Sequence, residues 1–544
     1  MMKSWRGVFA FLFCILLCTQ SVMARRVPNS EKKIIRFGWV APFTPQEFLD
    51  CDLADLDADC PFDGIGLHPC LNLKRGDEII EYRLPFQVGS PQMLTEEDFK
   101  ELIPAYLRLQ QTRLKHNFIC SYSTLFNADW FDEEGWKRTL NNYGMLAWLA
   151  KQTKCDGLEF DIESYPFTGQ PFRFHPEFGH TFEETAAQVR KRGKEWIQEL
   201  NRQYPNLTLF AVHWTSQCAS PLYAELPELQ NHSSTGLQIA FMNGVYEGAP
   251  ETMTIVDGNE TPGYRAESES DYDRILANAQ LYGDAWMEAG NKEKYHKITS
   301  TGVSLYLDRY AGNDFPPNDP TELLARNIGN CIRYADEYVW IWCEKGNFWP
   351  KICKSDWKSW NEQLPHCTDA IAFGRNVSVE DLRKNMSKKN LLQNSSLDTL
   401  AHWGQWQADR SPKGTITAEN GMARLVNVTN GCITQVLDVK AGQKFIVTAR
   451  CKEEGAPSNP SLGFFFRNSK GMGLWDIQCS VPFTIDLEDG WKGLSVPIIV
   501  PSGRDIQNLT ITVGTGVPKQ IEGDKGTLFD DIELHPVSFP WEEE

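Results

Sequence analysis

No block of Lys and Arg long enough to meet phosphates occurs in this chain. Asp and Glu number 72 against 54 Lys and Arg, for a formal charge of −18. Nucleic acid and anionic membranes are therefore poor partners. After the first residues no apolar run reaches the about 18 to 20 residues that span a bilayer. No CxxC or HExxH pattern marks a metal site, and no Gly-rich loop follows the first expected strand to cradle a nucleotide. Of the 15 cysteines, thirteen remain once Cys14 and Cys18 of a leader are set aside. That odd number, with no small-scaffold spacing, rules out a disulfide-stapled mini-domain. One bridge within Cys51, Cys60 and Cys70, or within Cys343, Cys353 and Cys367, is the most the spacing suggests.

What is present begins with a targeting segment. Lys3 and Arg6 precede an apolar run from Val8 to Cys18, and Val22-Met23-Ala24 offers small residues for cleavage before Arg25. This composition predicts a signal peptide over 1–24 and an exported, secreted or periplasmic protein. With 41% hydrophobic and 12% aromatic residues, the remainder can bury a large core. Eighteen Trp supply candidates for stacking on sugar rings. Strand and helix patterns alternate from 34 to about 345. Strands are expected over 35–40, 64–68, 117–122, 157–163, 208–214, 237–243, 302–307 and 338–343. Helices are expected over 133–154, 182–204, 271–289 and 321–335, the second announced by the capping box Thr181 and Glu184. Eight such strands predict an α/β fold of the (β/α)8 TIM-barrel type over 25–377.

The stretch that organises this barrel runs from Asp156 to Tyr165. Apolar and acidic residues alternate, so an extended strand puts Leu158, Phe160 and Ile162 on one face and Glu159, Asp161 and Glu163 on the other. Two residues of strand cover roughly 6.5 to 7 Å. Like charges that close, out of water, push at least one pKa upward, which prepares a carboxylic acid to give up a proton near neutral pH. In a barrel the chemistry sits at the carboxyl ends of the strands. The other expected strand ends carry Trp39, His68, Tyr122, His213 with Trp214, Asn243, Tyr306 with Asp308, and Trp342 with Glu344. Their convergence predicts a polar, aromatic-lined cleft suited to a saccharide.

Asp156-Gly157-Leu158-Glu159-Phe160-Asp161-Ile162-Glu163 resembles the strand-four DGxDxDxE signature of the chitinase family of glycoside hydrolases, family eighteen, with Glu159 in place of the first inner Asp. The resemblance implies Glu163 as general acid/base and Asp161 as the group that orients the substrate's acetamido function in substrate-assisted retaining hydrolysis. Glu159 would support Asp161. Trp342 is similar to the Trp that floors that family's subsite, and Asn243 lies where the family carries its Met-x-Tyr-Asp run. Strand three, Ile119-Cys120-Ser121-Tyr122-Ser123, lacks the family's Ser-x-Gly-Gly. A second mechanism therefore stays open, in which two protein carboxylates act: Glu163 as acid, and Glu344 as nucleophile or base. Asp257 and Glu260, in an Asp-Gly-Asn-Glu loop, are further candidates. Glu159, Tyr165, Trp39, His213, Trp214, Asn243, Tyr306 and Trp342 are the expected substrate contacts. No metal or other cofactor is expected at this site. A separation of about 5 to 5.5 Å between Glu163 and a facing carboxylate would indicate a protein nucleophile, and about 6.5 to 9.5 Å inversion.

A polar connector is expected over 378–389. From 390 to 544 short β-prone runs lie between Gly, Pro and Asn turns, which predicts an all-β sandwich. Asn390 to Asn394 and Leu528-Phe529-Asp530-Asp531-Ile532-Glu533-Leu534 resemble the opening and closing strands of jelly-roll carbohydrate-binding modules. That resemblance implies a structural calcium held by acids such as Asp531. Trp403, Trp406 and Trp475 are candidate sugar platforms. The whole reads as a secreted glycoside hydrolase acting on a poly- or oligosaccharide, with a non-catalytic, lectin-like barrel as the alternative.

Overall fold

The computed structural model describes residues 26–38, 43–58, 60–75, 78–83, 92–163, 169–218, 227–312, 320–353, 356–375, 379–409, 413–440, 442–455, 458–501, 504–516 and 525–537. Trp39 and Tyr165 lie outside them. The chain divides into two compact units, Met1–Arg375 and Asn376–Glu544.

The first unit is built on a parallel sheet of nine segments: β1 (Lys33–Phe37), β2 (Gly64–Leu67), β3 (Phe118–Tyr122), β4 (Gly157–Asp161), β5 (Thr208–Ala211), β6 (Thr254–Asp257), β7 (Thr299–Thr301), β8 (Val303–Tyr306) and β9 (Tyr338–Trp342). Their order is β8-β9-β1-β2-β3-β4-β5-β6-β7. The two ends of that order, β7 and β8, are joined through Gly302, so the sheet comes round on itself as a barrel. It is not strictly eight-fold, because the stave that one strand would fill is split in two. A Cβ at Gly302 would meet Val256 Cγ1 at 2.8 Å, which is why the break falls at a glycine.

Long amphipathic helices cover the barrel. Helix α1 (Glu133–Gln152) starts on Asp132, whose side chain accepts from Gly135 N–H at 3.0 Å. Helix α2 (Phe182–Gln203) has the expected box, with Thr181 Oγ1 accepting from Glu184 N–H at 3.2 Å and Glu184 accepting in return at 2.9 Å. Such caps satisfy amide groups that the first turn leaves open. The strand expected over 237–243 is instead helix α3 (Gln238–Gly248), and the sixth place in the barrel is taken by β6 further on. Both stretches are short and apolar, and over that length periodicity cannot separate a buried helix from a strand. Next comes the short helix α4 (Glu260–Tyr264). Cys70–Arg75 and Glu78–Arg83 form an antiparallel hairpin that the sequence patterns did not predict.

Side chains from alternate positions fill the barrel. Phe37, Phe118, Phe210, Tyr338 and Trp340 form its aromatic interior, with Phe37 and Phe210 edge to face at 5.1 Å. All the described cysteines are free thiols, so no bridge forms within either group named above.

The second unit is a pair of antiparallel sheets. Its strands are β10 (Gly404–Gln407), β11 (Thr415–Glu419), β12 (Met422–Val426), β13 (Gly431–Asp438), β14 (Lys444–Glu453), β15 (Ser461–Arg467), β16 (Gly473–Pro482), β17 (Ile485–Asp486), β18 (Lys492–Ile499), β19 (Asn508–Thr515) and β20 (Gly526–Pro536). One sheet runs β10-β13-β19-β15-β16, the other β11-β12-β20-β14-β18-β17. Ile433, Leu462, Leu509 and Ile511 meet Val447, Phe529 and Leu534 in the core. The stretch expected as a connector belongs to this unit. Val379–Lys384 is helical, and Met386 bridges antiparallel to Val537.

Candidate active site

Strand β4 sets the site. Adjacent parallel strands place paired residues on one face, and Cys120 pairs with Glu159 and Tyr122 with Asp161. Cys120 and Tyr122 point into the barrel interior, so Glu159 and Asp161 do too. Phe160 turns outward, 5.0 Å from the ring of Trp196 on α2. Glu163 follows just beyond the strand end, its side chain 25% exposed.

The acids differ by depth. Glu159 is sealed among the interior rings, with neither carboxylate oxygen in a well-formed hydrogen bond. Burial, then the charge of Asp161, raises its pKa far above the ordinary carboxyl range. Asp161 is raised as well, by burial first and then by Glu163 and Glu260. Its Oδ1 accepts from Glu163 N–H at 2.8 Å, which holds the turn that presents Glu163.

Two further elements bring partners to Glu163. His213 follows β5 and is 1% exposed. Glu260 opens α4, after Asn259 in the left-handed region at φ 50°. His213 Nε2 lies 3.3 Å from Glu163 Oε1 and 3.1 Å from Glu260 Oε2. Burial alone would lower the imidazole pKa, but the two carboxylates reverse it and push it up to about 10. His213 is thus an imidazolium between two acids at neutral pH. One ligand atom from each member of the trio lies within 4.8 Å of the other two. Among the described residues it is also the group of His, Cys, Asp and Glu that could hold a divalent cation, since such spacings suit a shell of ligands about 2.0 to 2.2 Å from an ion.

A second cluster forms on the other side of the ring. Tyr306 donates to Glu344 Oε2 at 3.1 Å, and Trp342 Nε1 donates to Glu344 Oε1 at 2.9 Å. Asp308 accepts from Glu344 N–H at 2.9 Å. Both oxygens of Glu344 are therefore engaged, while Glu163 shares the His213 contact with Glu260. Tyr264, at the end of α4, stacks on Tyr306 with ring centroids 5.1 Å apart. The alternation and strand-end patterns did not single it out. Its signal was its place four residues after Glu260, a spacing that puts both on one face of a helical turn.

Two expected contacts are structural. Trp214 is fully buried and turned to α3, where its indole donates to Tyr246 Oη at 3.0 Å. Asn243 sits inside α3 as a clamp: Nδ2 donates to the Trp286 carbonyl at 3.0 Å, and Oδ1 accepts from Glu288 N–H at 2.9 Å. Asp257 points away from the interior to receive Thr215 N–H at 3.1 Å and the Thr215 hydroxyl.

The second unit carries a groove of about 640 Å³ on the outer face of its five-stranded sheet. Alternation explains it. Leu462 and Phe466 face the core while Phe465 and Arg467 face out, and Leu509 and Ile511 face in while Thr510 and Thr512 face out. Trp406 and Trp475, on the two outermost strands, are 52% and 61% exposed. Trp403 is a core residue that donates to the Asn394 carbonyl at 3.1 Å. Asp531 and Asp530 share an arginine: Arg450 Nε lies 2.9 Å from Asp531 Oδ2, and Arg450 Nη2 lies 2.6 Å from Asp530 Oδ2.

No family profile matches the chain, and neither does any curated protein. Among solved structures it is similar to a provisionally named alpha-L-fucosidase of Bacteroides thetaiotaomicron, at 8% identity over 94% of this chain and 96% of that one, with a TM-score of 0.32. It is also similar to a carbohydrate-binding module of family 4, at 15% identity over 26% of this chain and 98% of that one, TM-score 0.20. The CBM22-1 xylan-binding domain of a Paenibacillus barcinonensis protein matches at 14% identity over 28% of this chain and 96% of that one, TM-score 0.20.

Proposed function

We propose that the chain is a glycoside hydrolase that works by double displacement with retention. The observation that carries this reading is that Glu163 and Glu260 both contact His213, with one oxygen of each carboxylate within 4.8 Å of the other. Retaining glycosidases hold their two carboxyl groups about 5 to 5.5 Å apart, too near for a water to fit between acid and sugar. Substrate assistance needs no facing acid, so Glu260 favours the two-carboxylate route over the chitinase-like one.

Glu260 acts as nucleophile. His213, buried at 1% exposure, contacts both Glu260 and Glu163 and keeps the two carboxyl groups together. In the first step a Glu260 oxygen bonds to the anomeric carbon, the glycosidic C–O bond breaks, and Glu163 gives its proton to the leaving oxygen. In the second, Glu163 takes a proton from water, the water oxygen attacks the anomeric carbon, and Glu260 leaves. Asp161 fixes the Glu163 turn through its backbone contact. The groove of the second unit supports the same class of ligand, because exposed indoles beside polar groups suit sugar rings. Export after removal of 1–24 completes the reading, and N-terminal sequencing of the mature protein should begin at Arg25.

The deciding experiment is digestion of a glycan panel with the product anomer followed by NMR. Retention is expected, and a 2-fluoro glycoside should label the peptide that carries Glu260. Glu163→Gln and Glu260→Gln should each lower turnover by about 10³-fold or more. Wild-type protein that binds glycans yet cleaves none would support the lectin-like alternative.

A further inference from the structure

The hydroxyl of Tyr264 is buried and has no hydrogen-bond partner among the described residues. Buried polar groups are nearly always satisfied, and the exceptions cluster where a ligand completes the bond. The ring itself is tightly held. It stacks on Tyr306 at 5.1 Å and 25°, lies 5.7 Å from Trp340, and its backbone carbonyl accepts from Arg309. Gly263 beside it packs so closely on β8 that a Cβ there would sit 2.7 Å from the Ser304 carbonyl oxygen. A phenol fixed this firmly cannot swing away to find water.

Its surroundings say what kind of partner it would meet. Tyr264 and Glu260 are four residues apart on α4 and share a face. Burial, then the charges of Glu260, Asp161 and Glu163, hold the phenol in its protonated form, so it keeps an O–H to donate. On its other side the Tyr306 hydroxyl already donates a hydrogen bond to Glu344 Oε2. Tyr264 thus stands between the acid pair and the Tyr306–Glu344–Trp342 cluster with an O–H to offer.

We propose that the Tyr264 hydroxyl is a substrate-binding donor, which hydrogen-bonds one ring hydroxyl of the sugar seated against Glu163 and Glu260. The inference rests on the glycosidase reading and adds a specificity element to it: the enzyme selects sugars that carry an acceptor oxygen at one defined ring position. Sites that hydrogen-bond a hydroxyl reject analogues lacking it, because the donor is then left buried and unpaired.

The test is a cycle of two changes on the full-length protein. Tyr264→Phe keeps the stack on Tyr306 and removes one oxygen, so the melting temperature should be unchanged or slightly raised. On the best aryl glycoside its kcat/KM should fall about 10- to 100-fold. The same pair of enzymes is then compared on the monodeoxy analogues of that glycoside. For one analogue the wild type should fall to the level of the variant, and the two should become equal; for the others the gap should persist. Equal kcat/KM for wild type and Tyr264→Phe on the parent glycoside would overturn the proposal. So would a gap that stays constant across every deoxy analogue, which would mean that the hydroxyl acts on Glu260 and not on sugar. A wild type that hydrolyses no glycoside fails at the first measurement, and that failure belongs to the glycosidase reading, with this proposal falling alongside it.

Discussion

Glu159 occupies a place where a hydrophobic side chain would fit, among Phe210, Cys120 and the other rings of the barrel interior. Its pKa is raised in the folded state by burial and by Asp161. Below its ordinary value of 4.5 the group is neutral whether folded or not, and its ionisation costs no stability. As pH rises past that point the unfolded chain ionises while the folded one stays protonated, so folding loses about 1.4 kcal/mol per pH unit until the raised pKa is reached. Glu159→Gln should remove that slope. Thermal melts from pH 4 to 8 are expected to coincide near pH 4 and to diverge with pH in favour of the variant; parallel curves would contradict a neutral Glu159. His213 titrates in another window: its raised pKa contributes stability that is full below about 6.5 and lost as pH climbs through about 10. It is present in both proteins and cancels in the comparison. At this scale the sequence was informative where a period was at work. Asp161 and Glu163 followed from two-residue alternation on a strand, and His213 from its place at a strand end. Trp214 was misjudged because a strand-end residue points inward or outward according to register, which composition does not show, and Asn243 because the stretch read as a strand is helix α3.

Helix α4 is the element on which the proposed chemistry depends, since it carries both Glu260 and Tyr264. It is only five residues long, too short to be stable by itself, and is held by packing. Asn259 takes the left-handed turn into it, and Ser304 Oγ donates to the Asn259 and Glu260 carbonyls at 3.0 and 2.9 Å. Gly263 faces that same serine. Gly263→Ala should push α4 off β8, costing about 1 to 3 kcal/mol of stability as an overpacked contact. The loss of turnover should be larger than the loss of stability implies, because an ångström of misplacement of a nucleophile costs about 10²-fold. Calorimetry and kinetics on the one variant check this, and wild-type turnover with a lowered melting temperature would show that Glu260 is not positioned by this helix. The Asp-Gly-Asn-Glu stretch could be named as a candidate loop from sequence, but its role was hidden by the misassignment of 237–243. Leu237 to Asn243 is apolar enough for a strand, and the true β6 shows only four residues.

Across the molecule, the change near residue 390 from alternating helix and strand to short β-prone runs was visible in composition, and the acidic balance of −18 suits a neutral or cationic ligand in both units. The helical Val379–Lys384 was not visible as part of the second unit, because a short polar helix and a connector have the same composition. The groove of that unit has a dimension that can be tested. Trp406 and Trp475 lie on strands four spacings apart in the five-stranded sheet, or about 19 Å at about 4.8 Å per strand. A ligand that touches both indoles must therefore be a chain of several sugars, laid across the strands over Phe465 and Thr512. Two stacked indoles of this kind contribute about 0.5 to 1.5 kcal/mol each. The full-length Trp406→Ala/Trp475→Ala variant should thus bind polysaccharide about tenfold more weakly in affinity electrophoresis. Hydrolysis of a small aryl glycoside, which cannot span the groove, should stay within about twofold of wild type. If binding to every polysaccharide tried is unchanged, the exposed indoles have no part in holding glycan.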